Sequence, residues 1–112
     1  MLITSVTHNN YDNLTELNHV YTSLSNLDGI CNTTDKNDSS PSLGVYSDNL
    51  EVLIYVDYKD NDLSENDGQF RYFVVLNDVT KSYDENLHFI FDDSEIEFAI
   101  SKFKTLYNTY FN

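Results

Sequence analysis

Leu50-Glu51-Val52-Leu53-Ile54-Tyr55-Val56-Asp57-Tyr58 is the stretch from which the fold follows. Leu50, Val52, Ile54, Val56 and Tyr58 are all apolar, whereas the intervening Glu51, Leu53, Tyr55 and Asp57 are mixed. Side chains alternate across a strand, so this period of two predicts a β-strand with one face on a core and the other partly covered. Gln69 to Asn77 repeats the pattern, with Phe70, Tyr72, Val74 and Leu76 set against Arg71, Phe73 and Val75, and Leu87 to Phe91 supplies a shorter third strand. The connections from Lys59 to Gly68 and from Asp78 to Asn86 are too short for helical crossovers, which predicts a three-stranded antiparallel meander.

Helical periodicity flanks the strands. From Asp12 onward Leu14, Leu17, Val20, Tyr21, Leu24 and Leu27 recur at three- and four-residue spacing and define a first helix. Asn13 with Glu16 three residues later reads as a capping box, and Gly29 stands where a helix end turns left-handed. Ser94 with Glu97 reads as a second capping box. Behind it Ile96, Ala99, Ile100, Phe103, Leu106, Tyr107 and Tyr110 predict a helix running almost to the C-terminus. The expectation is one α+β domain over residues 1–112, in two layers, with an N-terminal and a C-terminal amphipathic helix flanking the three-stranded sheet. Residues 1–6 alternate as a short edge strand, and Leu43 to Tyr46 is a candidate short strand ahead of a turn at Ser47 to Asn49, too brief for its pattern to decide. Cys31 to Ser42, rich in Asn, Asp, Ser and Thr and holding the only proline, reads as a mobile surface loop.

Charge is the strongest functional signal. The formal net charge is −13, and fourteen of the nineteen carboxylates lie between Asp48 and Glu97, where only Lys59, Arg71 and Lys81 oppose them. Such a field repels DNA, RNA and anionic membranes and attracts cationic proteins, so direct nucleic-acid and membrane binding are excluded and a basic partner is expected. At 40% hydrophobic and 14% aromatic residues the chain has ample material for a core despite its charge. One cysteine, Cys31, permits no intrachain disulfide, and no apolar run is long enough for a signal peptide or membrane span, which places the protein in the cytoplasm.

Two acidic clusters are the candidate partner-binding residues. Asp57, Asp60, Asp62, Glu65 and Asp67 lie in and beside one hairpin connection, and Asp92, Asp93, Glu95 and Glu97 surround the start of the second helix. Calcium would suit the first cluster by ligand type, but an EF-hand register started at Asp60 or Asp62 puts Glu65 or Asp67 where glycine is required. A solvated Asp- and Asn-rich turn is the plainer alternative. Acids at a helix start are favoured by the exposed amides, though one or two suffice for that role. Tyr55 and Phe73, with Leu53 and Val75, make the second sheet face partly apolar. This face is either a partner surface ringed by acids or one covered by the first helix or the N-terminal segment. His8, His19 and His88 lack zinc spacing, a His8–Cys31 pair has no third orienting group, and the three glycines form no phosphate loop, so neither an enzyme nor a cofactor or metal site is expected.

In size, acidity and its order of helix, three-strand meander and helix, the chain resembles the small acidic inhibitors encoded by phages and mobile elements, including anti-CRISPR proteins that occupy the nucleic-acid channel of a CRISPR effector nuclease. The resemblance rests on those overall features, and no single residue carries over from it. It implies a non-catalytic nucleic-acid mimic, acting in the bacterial host cell, whose carboxylates take the place of phosphates on a basic enzyme of host defence. An immunity protein or antitoxin against a basic nuclease toxin, or a non-enzymatic acidic module, would share the same physics.

Overall fold

In the computed structural model, residues 13–34, 40–59, 70–81 and 86–111 are described. The elements are α1 (Leu14–Leu24), β1 (Cys31–Asn32), β2 (Ser42–Ser47), β3 (Leu50–Val56), β4 (Tyr72–Asp78), β5 (Leu87–Phe91), a 3-10 turn (Asp93–Glu95) and α2 (Ile96–Tyr110). The α+β class and the antiparallel meander are as expected, but the sheet has five strands, in the order β1-β2-β3-β4-β5. The expected edge strand at residues 1–6 lies outside the described residues.

Of the two additional strands, β1 comes from the segment expected to be a loop, Cys31 to Ser42, and β2 extends the short candidate strand at Leu43 to Tyr46 by one residue at each end. Cys31 and Asn32 pair with Gly44 and Leu43. The Thr33 amide donates to the Ser42 carbonyl at 3.0 Å, the Ser42 amide donates to Thr34 Oγ1 at 3.0 Å, and the Thr33 and Ser42 hydroxyls meet at 2.6 Å. Hydroxyl side chains that favour turns in isolation act here as cross-strand partners. Ser40, Pro41 and Ser42 are buried, and the Pro41 carbonyl accepts from the Val56 amide at 3.0 Å. A two-residue turn at Asp48 and Asn49 joins β2 to β3, with Asp48 at φ 49°, a left-handed conformation that Asp tolerates.

Both helices cover the same sheet face. Leu17, Val20 and Leu24 of α1 and Ala99, Ile100, Phe103 and Leu106 of α2 join Leu43, Val45, Val52, Ile54, Val56, Tyr72, Val74 and Leu76 in one core. These strand residues are the wholly apolar set of the period-two pattern, brought into line by the register Ile54↔Val74↔Phe89 and Val56↔Tyr72↔Phe91. Complete burial of each such side chain stabilises the fold by about 1.5–3 kcal/mol.

Gly44 of β2 is fixed by close approach. A Cβ there would lie 2.5 Å from the Val52 carbonyl oxygen and 2.5 Å from Leu53 Cδ2. The Leu53 side chain can swing away, whereas the backbone oxygen belongs to the β2–β3 ladder. Gly44→Ala is expected to destabilise the fold by about 1–3 kcal/mol in urea unfolding.

The boundary signals mark the right neighbourhoods and the wrong residues. Gly29 has φ 85°, the expected left-handed turn, although α1 already ends at Leu24. Asn13 makes no cap: its side-chain amide donates to the Val56 carbonyl at 2.7 Å, tying the helix start to the end of β3. Glu16 turns to Lys59 instead of back to the helix start. The second capping box is Asp92 with Glu95, two residues upstream of Ser94 and Glu97, and it closes the 3-10 turn ahead of α2.

Candidate functional site

The in-register residues Val56, Tyr72 and Phe91 mark one end of the sheet. Beyond this row lie Asp57 to Lys59, Phe70 and Arg71, and Asp92 to Glu97, and the start of α1 is tied to it through Asn13. The described chain ends at Lys59 and resumes at Phe70, so the connection carrying Asp60, Asp62, Glu65 and Asp67 departs from and returns to this end. Those four candidates lie outside the described residues.

A charged centre that the sequence reading passed over holds this end together. Arg71, the chain's one arginine, is only 8% exposed. Its Nε donates to the Asp57 carbonyl at 3.1 Å, its Nη1 pairs with the Asp93 carboxylate, and its Nη2 faces Glu16 Oε1 at 3.9 Å. That last separation is an ion pair without a hydrogen bond. Glu16 Oε2 also receives Lys59 Nζ at 3.0 Å. Arg71 therefore links α1, the end of β3 and the approach to α2. The signal available in the sequence was a lone arginine within an apolar strand pattern.

Asp57 is corrected as a partner-facing residue. It is 3% exposed, and its Oδ1 accepts the Tyr58 amide proton at 2.8 Å. The sheet ladder continues past Val56 through the Asp57 amide to the Arg71 carbonyl at 2.8 Å, and this carries Asp57 inward.

Each acid of the second cluster has an internal role. Asp92 Oδ1 accepts from the Ser94 amide at 3.1 Å, and Glu95 Oε1 accepts from the Asp92 amide at 2.9 Å. Asp93 holds Arg71, and Glu97 holds His19 at 2.6 Å across the two helices. The side chains of Asp93 and Glu97 remain 71% and 73% exposed, so their negative field still reaches solvent.

Tyr55 and Phe73 lie on the face opposite the helices, with ring centroids 6.0 Å apart, and Phe73 also meets Phe70 at 5.9 Å and His88 at 5.6 Å. Of the two covers considered for this face, α1 is ruled out because it packs on the other one, and the N-terminal segment lies outside the described residues. Leu53 and Val75 on this face are nevertheless 6% and 3% exposed, so its centre is not open apolar surface, and Tyr55 and Phe73 are half-buried. His8 lies outside the described residues, and Cys31 is exposed on the short strand β1. Among the described residues, no group of three or more His, Cys, Asp or Glu is placed to hold a metal, and no helix is long and apolar enough to cross a membrane.

Burial pushes the Tyr72 phenol up to about 12, with Arg71 pulling in the opposite direction. The fold holds this proton more tightly than the unfolded chain does, so the associated stability is complete below pH 10 and lost as pH rises towards 12. The urea midpoint is expected to fall over that interval, and to fall less in Tyr72→Phe.

No family model, curated protein or solved structure matches the chain.

Proposed function

We propose that this protein is a non-enzymatic polyanion mimic that binds and blocks the basic nucleic-acid site of another protein, and that it serves a phage or mobile element against a host defence nuclease of the CRISPR effector kind. The observation that carries this reading is the gathering of acids around the start of α2, at one end of the sheet. Asp92, Asp93, Glu95 and Glu97 stand there, at the same end from which the connection bearing Asp60, Asp62, Glu65 and Asp67 departs. Lys59 and Arg71, the cations at that end among the described residues, are engaged with Glu16 and Asp93.

A groove built to hold phosphates with Lys and Arg presents the complementary field. Long-range attraction speeds the encounter, and charge-assisted hydrogen bonds from guanidinium groups to carboxylates slow dissociation. Occupancy alone excludes the polynucleotide, so no chemical step is needed.

The test is affinity capture from a bacterial host lysate with the full chain as bait, followed by competition with a polynucleotide. The reading predicts capture of a nucleic-acid-binding protein that duplex DNA or RNA displaces. Capture of a protein that remains bound under excess polynucleotide contradicts it.

A further inference from the structure

Arg71 stands between two carboxylates that differ in their access to solvent. Asp93, whose side chain is 71% exposed, pairs with Nη1, and Glu16, whose side chain is 18% exposed, faces Nη2. Glu16 Oε1 and Arg71 Nη2 are both closed to solvent, and neither makes a hydrogen bond. They lie 3.9 Å apart. A shift of about 1 Å brings such a pair to the ordinary N–H···O separation of about 2.9 Å. Nε, which donates to the Asp57 carbonyl at 3.1 Å, is the pivot for that shift.

A buried donor and acceptor left unmade are costly, most of all on charged groups. Here an unmade, charge-assisted hydrogen bond sits directly behind the acid cluster. Asp92 and Glu95 are committed to backbone amides of the 3-10 turn. Asp93 is held instead by a guanidinium with a second carboxylate in reach, and its own carboxylate is the one of the two that an incoming cation meets first.

We infer that Arg71 is a two-position relay: it holds Asp93 while the protein is unbound, and closes on Glu16 when a lysine or arginine of the partner takes Asp93. Arg71 keeps a carboxylate in both positions, so handing Asp93 over leaves no buried charge unpaired. The partner gains an acid that the fold otherwise occupies. Binding shifts the relay by the difference in the cation's affinity for its two positions. The inference deepens the polyanion reading and rests on it, because it requires a cationic partner.

The probe is an oligolysine peptide titrated at low salt into the full-length, isotope-labelled chain. Couplings across hydrogen bonds, read by NMR between the Arg71 guanidinium nitrogens and the carboxylate carbons, report which acid Arg71 holds. The expected result is a coupling to Asp93 in the unbound chain, lost as peptide saturates and replaced by a coupling to Glu16. Asp93→Ala, an exposed substitution outside the core, should show the Glu16 coupling without peptide and bind the peptide about two- to fivefold more weakly. Shifted amides over Asp92–Glu97 with the Asp93 coupling retained overturn the relay and leave the polyanion reading standing. So does loss of the Asp93 coupling with none gained to Glu16, in the titration or in Asp93→Ala. A Glu16 coupling already present in the unbound wild-type chain overturns the relay as well. Absence of any peptide binding at low salt overturns both readings.

Discussion

Arg71→Ala is expected to lower the stability of the fold by about 3 kcal/mol or more. The guanidinium is nearly inaccessible and serves three elements at once, so its removal strands the Asp57 carbonyl without its donor and leaves Glu16, whose side chain is 18% exposed, with the half-exposed Lys59 as its remaining cation among the described residues. Losing one partner of a buried pair is costly because the other charge keeps its desolvation penalty. Little of the effect comes from Asp93, since that carboxylate is mostly in water. Lys59→Ala is the internal comparison: its ammonium is half exposed, and its loss should cost less than about 1 kcal/mol. Urea unfolding of the two variants and of the pair Glu16→Leu with Arg71→Met checks the assignment, because the double replacement by apolar groups removes both charges and should recover much of the loss. Additive destabilisation in the double variant would sink the account of the centre.

The second large effect concerns binding. Reversal of Asp60, Asp62, Glu65 and Asp67 to Lys changes the local charge by two units at each position and is expected to weaken binding to a basic nucleic-acid enzyme about a hundredfold or more. Circular dichroism and the unfolding midpoint should be retained, since the core lies on the helix-covered face of the sheet. The equivalent experiment on Asp92, Asp93, Glu95 and Glu97 is less clean, because those residues cap the 3-10 turn and hold Arg71 and His19. Asp57→Asn supplies the contrast: a buried carboxylate that perturbs stability and leaves binding unchanged.

The parts of this architecture that sequence reasoning recovered are those set by periodicity. Alternation in Leu50–Tyr58 and Gln69–Asn77 located β3 and β4, and three- and four-residue spacing located both helices, because each pattern records a continuous buried face. What it missed was decided by tertiary partners. The β1–β2 pairing runs through hydroxyls of Thr33, Thr34 and Ser42, residue types that signal turns when read alone. Asn13 had the residue type of a cap, but its side-chain amide donates to the Val56 carbonyl, and Asp57, read as the strand's acid next to the hairpin connection, is held inward by the continued ladder. Arg71 was legible only as an anomaly. The acid cluster near α2 was visible as composition, yet its division into a turn cap, an arginine clamp and an interhelical pair depends on which elements meet there.

The most direct test of the central claim is the ionic-strength dependence of affinity between the full chain and its captured partner. If clustered carboxylates stand in for phosphates, the dissociation constant should rise by about tenfold or more between roughly 50 and 200 mM salt, with the loss concentrated in the association rate. An affinity unchanged over that range would contradict the account.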